Sequence, residues 1–276
     1  MSVIQMHKPE PISKDDWAYY LSFSPDDYVR LTVDALKTEN RFFVDERFQK
    51  LIYTYAFDPS ERGHSTKYLL PGQPTLFRAR IYKRDDAHER LNAPEQYGLF
   101  QGYDEAGSFV PPEGIYTDQG RINPSNIRYL YTTSDVETSI LEVRARPGEI
   151  VSVARIELCE PAQMFDISNR WSSMWGESKT TEWFCLFYLA LMSLFQRPYK
   201  DTGDYYLCQY ISEYLKNWGF DGIIFRSAVN RVSLDSGINY TFFNFQKCKA
   251  VSSTLFHVLS MNIKTSPQLE NAAESE

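Results

Sequence analysis

The chain has 276 residues, 43% of them hydrophobic, enough for one large domain or a domain with an extension. Its net charge of −7 leaves no basic excess to neutralise phosphates, which argues against direct nucleic-acid binding but leaves room for local arginine sites on one small anionic ligand. The four cysteines (Cys159, Cys185, Cys208 and Cys248) show no CxxC spacing and fit buried thiols in a reduced cytoplasmic protein better than a disulfide framework or a zinc site.

Residues 1–74 read as helical and distinct from the remainder of the chain. The opening MSVIQMHKPEP lacks an apolar h-region, so no signal peptide is expected. Ser24-Pro25-Asp26-Asp27 has the form of a helix start, with proline at the first helical position. Tyr28, Leu31 and Leu36 supply part of an apolar face, and residues 42–55 read as another helix rich in aromatics. Tyr19, Tyr20, Phe42, Phe43 and Tyr55 are too many to leave exposed as one patch. The extension is therefore expected to pack on the rest of the chain, on a neighbouring subunit or on another partner. Pro71-Gly72-Gln73-Pro74 punctuates its end.

From Thr75 onward strands dominate: LFRARIYK, IRYLYTT, EIVSVARIEL, QMFDIS, DGIIFRS and NYTFFNF. The segment 82–119, with Pro94, Gly98, Gly102, Gly107, Pro111, Pro112 and Gly114, reads as a long loop of the kind that is functional or mobile. Helices are expected after Ser134, over 180–196, and over 204–218 with Gly219 as a left-handed cap. The apolar run 183–195 is too short to cross a bilayer and reads as a core helix, so no membrane association is expected. Residues after about 261 are polar and acidic, and disorder is expected there. The expected division is a helical extension over 1–74, a main domain over 75–260 and a tail over 261–276, in the α+β class.

One stretch, GRINPSNIRYLYTTSDVETSILE at 120–142, packs a turn, a strand and a capped helix around few functional groups. Gly120-Arg121 and Asn123-Pro124 are loop chemistry. Ser134 with Glu137 three residues later forms a capping box. Val136, Ile140 and Val143 then recur at helical spacing, with Glu142 beside that stripe. On the residues alone, Glu142 reads first as a surface carboxylate paired with Arg144 or Arg146, and second as a pocket residue. Four histidines with no HExxH spacing argue against a metal centre or a Ser-His-Asp triad, and no Gly-rich Rossmann loop occurs.

Taken together, LFRAR at 76–80, GRINP at 120–124, YLYTTSDVETSILEVRA at 129–145, YLCQYISEYLKNWGFDGIIFRSA at 206–228 and GINYTFF at 237–243 resemble the RES-domain family over about 75–250. That family, named for Arg, Glu and Ser, includes the toxins of Xre–RES toxin–antitoxin pairs and resembles ADP-ribosyltransferases in fold. The resemblance implies an ADP-ribosyltransferase-like mixed or antiparallel β core with flanking helices. It also implies an NAD-consuming site that cleaves the nicotinamide–ribose bond by hydrolysis or phosphorolysis, or transfers ADP-ribose to a protein. NAD is then substrate rather than cofactor, no metal is implied, and a cognate antitoxin or further copies of the chain are the partners it allows.

On that resemblance Glu142 is the carboxylate that stabilises the transition state. Arg78 and Arg121 are candidates for the pyrophosphate, since arginine offers the fork that a phosphate matches. Tyr131 would stack on nicotinamide or bond a ribose, in preference to Tyr129. Ser227 would orient the glutamate or contact the ribose, with no histidine placed to make it a nucleophile. Gln209, Glu213 and Asn239 are weaker candidates, and a solvated face is the plainer reading of the first two. A non-catalytic nucleotide-binding or protein-interaction module is the reading from another class.

Overall fold

The helix start expected at Ser24 falls where that cap stands, and the one expected at Ser134 is the exception. The computed structural model describes residues 9–40, 45–57, 66–168, 178–197, 205–230 and 237–261. Expectations for Phe42, Phe43 and residues 262–276 lie outside the described residues. Helix α1 (Lys14–Tyr20) opens on a capping box between Ser13 and Asp16, and α2 (Pro25–Thr38) on Ser24 with Pro25 in its first turn. Beyond these lie α3 (Glu46–Phe57), α4 (Ala87–Asn92), α5 (Glu105–Ser108), α6 (Val136–Glu142), α7 (Lys179–Gln196) and α8 (Tyr206–Asn217). Gly219, at φ +93°, takes the left-handed conformation expected after α8.

The exception is α6, whose cap is Asp135 and not Ser134. Asp135 Oδ1 accepts from the Thr138 amide at 2.7 Å, whereas Ser134 Oγ donates to Asp135 Oδ2 and accepts from the Ile238 amide. A carboxylate at a helix N-terminus gains from the dipole as well as from the hydrogen bond, so the aspartate takes the position.

Eight strands form one sheet: β1 (Thr66–Leu69), β2 (Leu76–Ile81), β3 (Leu130–Thr133), β4 (Ile150–Leu158), β5 (Ala162–Asp166), β6 (Gly222–Arg226), β7 (Ile238–Phe242) and β8 (Cys248–His257). Their order is β1-β5-β6-β7-β3-β2-β4-β8, with β5–β6 parallel and the other pairs antiparallel, giving an α+β architecture. Both edge strands depart from expectation. β1 lies inside the stretch read as helical, and β8 comes after the last strand expected.

Strand alternation feeds two cores. Phe165, Ile223 and Phe225 face a cluster built with α1, α2, α3, α7 and α8, while Met164 and Ile224 face the opposite side. In the first cluster Trp183 stacks on Phe187 and on Tyr20, with ring centroids 5.5 and 5.4 Å apart, and Tyr55 stacks on Tyr188 at 4.5 Å. Tyr20 and Tyr55 are thus core residues shared between the N-terminal helices and the sheet-covering helices. Over the second cluster lie Phe100, Phe109 and Val110, so part of the expected long loop is a lid on the sheet. Arg90 fixes it, pairing with Asp86 at 2.6 Å and donating to the carbonyls of Phe100, Gln101 and Gly102. None of the four cysteines is in a disulfide; Cys208 and Cys248 are buried, but Cys159 is exposed. Among the described residues no helix is long and apolar enough to cross a membrane.

Candidate functional site

The sheet has one weak seam. β2 pairs with β4 along its whole length, from Leu76↔Ile156 to Ile81↔Val151, but with β3 only at Phe77↔Thr133. Where β2 and β3 part, a cavity of ≈ 380 Å³ opens, within the range usual for small-ligand sites. Arg78 and Ala79 line it from β2, Tyr131, Thr132 and Thr133 from β3, Glu142 and Arg144 from the end of α6, Gly120 and Arg121 from the turn, and Asn239 from β7. Of the five residues singled out by the resemblance, four line this cavity and Ser227 stands directly behind it.

Glu142 is exposed to the cavity and held from behind. Ser227 Oγ donates to its Oε1 at 2.7 Å and Asn239 Nδ2 donates to the same oxygen at 2.8 Å. Among the described residues no hydrogen bond reaches Oε2, and neither Arg144 nor Arg146 forms an ion pair with this carboxylate. Ser227 is fully buried and also accepts from the amides of Val229 and Asn230, both at 3.1 Å. It is therefore a positioning residue with its lone pairs and proton in use. α6, which carries Glu142, packs Val136, Ile140 and Val143 on Ala79, Val151 and Val153. Its cap Asp135 is tied to β7 as well, accepting from the Gly237 amide at 3.1 Å. Burial pushes the Asp135 carboxyl up, but its bonds from Thr138, Gly237 and Ser134 outweigh that and leave it below the ordinary range.

Arg78 lies at the floor. Its Nη1 donates to the Tyr131 carbonyl at 3.0 Å, bridging the strands where their ladder stops, while its buried Nε has no partner. No carboxylate pairs with it among the described residues, and burial pushes its guanidinium down to about 10, with Arg80 adding repulsion. It remains charged at neutral pH. A half-buried cation lacking a counter-charge, with its Nε shut off from water, carries a desolvation cost that an anion in the cavity would offset.

Arg121 lines the cavity too, but its Nη1 donates to the carbonyls of Leu194, Phe195 and Arg197 at the end of α7, at 3.4, 2.7 and 2.9 Å. There a cation completes orphan carbonyls and meets the negative end of the helix dipole. Tyr131 has its hydroxyl committed: it donates to Asn123 Oδ1 at 2.6 Å and accepts from the Ile122 amide at 3.2 Å. Burial raises its pKa, so it stays neutral. What it offers the cavity is its ring. A Cβ on Gly120 would meet Asn123 Oδ1 at 2.5 Å and Tyr131 Oη at 2.8 Å, which is why glycine stands there.

The turn is held from the far side by Gln209, buried on α8, whose Nε2 donates to the carbonyls of Gly120 and Asn123. Glu213 accepts from the Tyr129 hydroxyl at 2.7 Å. Neither is solvated in the way their helical spacing suggests, and neither reaches the cavity.

A family model described as the RES domain matches residues 80–258. The chain belongs to the RES-domain family. No curated protein sequence matches it. Among solved structures, one described as the crystal structure of the M. tuberculosis MbcT–MbcA toxin–antitoxin complex aligns at 12% identity with a TM-score of 0.37, over 70% of this chain and 87% of that one. Within this RES domain, Asn239 is the site residue that sequence reasoning underweighted. Its signal was its place in a strand two residues past Gly237, but its partner is far away in the chain. Arg144 appeared only as a counter-ion for Glu142, and lines the cavity without pairing to it.

Proposed function

We propose that this RES-domain protein consumes NAD by breaking its nicotinamide–ribose bond. In this reading Glu142 stands at the reacting carbon, the Tyr131 ring beside the base, and Arg78 and Arg121 toward the pyrophosphate. The observation that carries the reading is a single carboxylate, fixed through one oxygen by Ser227 and Asn239, in a cavity whose floor holds an arginine with no counter-charge.

The chemistry follows from the count of acids. Cleaving an O-glycoside calls for a carboxyl pair, one member to protonate the leaving oxygen. Among the described lining residues Glu142 is the one carboxylate, and none is a histidine. Nicotinamide needs no acid: bound to ribose it is a cationic pyridinium, and on cleavage the bonding pair returns to its ring nitrogen, so it leaves neutral. The positive charge passes to the ribose as an oxocarbenium-like centre. A fixed carboxylate stabilises that charge, and in this reading Oε2 accepts from a ribose hydroxyl. Ser227 and Asn239 keep the carboxylate from swinging away, so the stabilisation needs no reorganisation at the moment of reaction.

Incubating the protein with NAD, with and without inorganic phosphate, and identifying products by mass spectrometry tests this. Free nicotinamide with ADP-ribose marks hydrolysis; a phosphorylated ADP-ribose marks phosphorolysis; label carried onto lysate proteins marks transfer to a protein. ADP-ribose binding with no nicotinamide release would replace the enzyme by a binding module. A cytoplasmic setting and a cognate antitoxin belong to the same proposal, and growth arrest on expression, relieved by a co-expressed partner, is their test.

A further inference from the structure

Arg144 stands in a conformation that its residue type disfavours. It is the second residue after α6, its amide bonds back to the Leu141 carbonyl at 2.9 Å, and its φ is +53°. Glycine is the usual occupant of such a left-handed position after a helix, because a Cβ there crowds the neighbouring carbonyl. The only other non-glycine at positive φ among the described residues is Asn126, a type that tolerates it. Strain of this kind clusters at active sites and ligand clamps.

The side chain enters no polar contact of the fold among the described residues. Arg144 is exposed, forms no ion pair or side-chain hydrogen bond among the described residues, and lines the same cavity as Glu142. With it, three arginines (Arg78, Arg121 and Arg144) line a cavity that holds one carboxylate, in a chain of net charge −7, and of these Arg121 is tied to the carbonyls at the end of α7. The excess of cations is therefore local to this cavity. Arg78 is at the floor and Arg144 at the mouth, so a ligand reaching both carries negative charge along its length, as a nucleoside diphosphate does.

We propose that Arg144 is a phosphate-binding residue at the mouth of the site, retained at the cost of backbone strain to hold the diphosphate of the ligand. This rests on the functional reading above and adds to it the residue that grips the ligand from the solvent side. Two variants test it, with ADP-ribose as the probe in calorimetry and NAD in turnover. Arg144→Gly relieves the strained backbone, so its melting temperature should equal or exceed that of the wild type, while ADP-ribose binds at least about tenfold more weakly, the size of one charge-assisted hydrogen bond. KM for NAD should rise with kcat little changed. Arg144→Lys should recover part of the affinity, and its binding should weaken with added salt more than that of the glycine variant. Unchanged ADP-ribose affinity in Arg144→Gly would overturn the assignment, and so would lost affinity accompanied by a lower melting temperature, which would mark a structural residue. Failure of the wild-type protein to bind ADP-ribose would instead overturn the functional reading itself.

Discussion

The aromatic cluster beneath the sheet and the seam between β2 and β3 are built on opposite principles. In the cluster, Tyr20, Tyr28, Trp183 and Phe187 bury their rings against one another, and Trp183 still finds a partner for its indole N–H in the Phe23 carbonyl at 2.9 Å. At the seam, strand pairing stops after one residue pair, a half-buried arginine keeps an unpartnered Nε, and a carboxylate keeps one oxygen clear among the described residues. One region is filled ring against ring, leaving the Tyr28 hydroxyl without a partner among the described residues, and the other is left open as a cavity, so stability and chemistry should respond to different substitutions.

The largest effect should come from removing nearly a third of the buried residues of the aromatic cluster. A chain beginning at Thr75 loses Tyr20, Tyr28, Leu36, Phe48, Leu51, Ile52 and Tyr55 from the cluster, along with β1. It should express poorly, melt lower or change its oligomeric state, because the apolar faces of α7 and α8 would stand open. Equal stability, hydrodynamic size and NAD turnover would erase the contrast.

Within the seam, Glu142→Gln keeps shape and removes charge. Nicotinamide release should drop by about two orders of magnitude or more, with the melting temperature nearly unchanged. Turnover at the wild-type rate would remove Glu142 from the chemistry. Ser227→Ala touches both regions at once. Glu142 keeps Asn239 as its one remaining tether, so kcat should fall about tenfold with KM for NAD little altered. The orphaned amides of Val229 and Asn230 should lower stability by about 1–3 kcal/mol. A rise in KM alone would make Ser227 a ligand contact instead.

The smallest effect is a matter of pH. The Asp135 carboxyl is held below its ordinary range in the folded chain. Its contribution is thus fully present above the unfolded value near 4 and is lost as pH falls through the lower folded value. Asp135→Asn keeps a capping acceptor without the charge and should cost about 1 kcal/mol at neutral pH. That difference should shrink toward zero in acid, as measured by urea midpoints at several pH values. A pH-independent difference would mean that the charge plays no part.

Local features were legible in the sequence and paired ones were not. Ser24-Pro25, the apolar run of α7 and Gly219 announce themselves within a few residues, because capping and periodicity are short-range. Glu142 and Ser227 were legible through the family pattern. The edge strands escaped because their pattern is polar: β8 carries Ser252, Ser253 and Thr254 at its centre. Ser253 is buried only because its hydroxyl serves the Gly102 amide and the Tyr103 carbonyl, some 150 residues away. Gln209 looked solvated on its helix because the turn that it holds lies 86–89 residues earlier. Choosing Asp135 over Ser134 as a cap needed knowledge that β7 would supply partners to both.

The tether on Glu142 has a consequence for synthesis. Its two donors stand 85 and 97 residues further along the chain. α6 has only seven residues, too few to hold its shape without tertiary packing. A ribosome that has translated as far as β6 has therefore released every arginine of the cavity but not the strand that completes the carboxylate's support. Contacts this distant form late, after the intervening loops have closed. β7 emerges last of the three and closes the gap between β6 and β3, so the support of Glu142 is complete only when nearly the whole protein has been made.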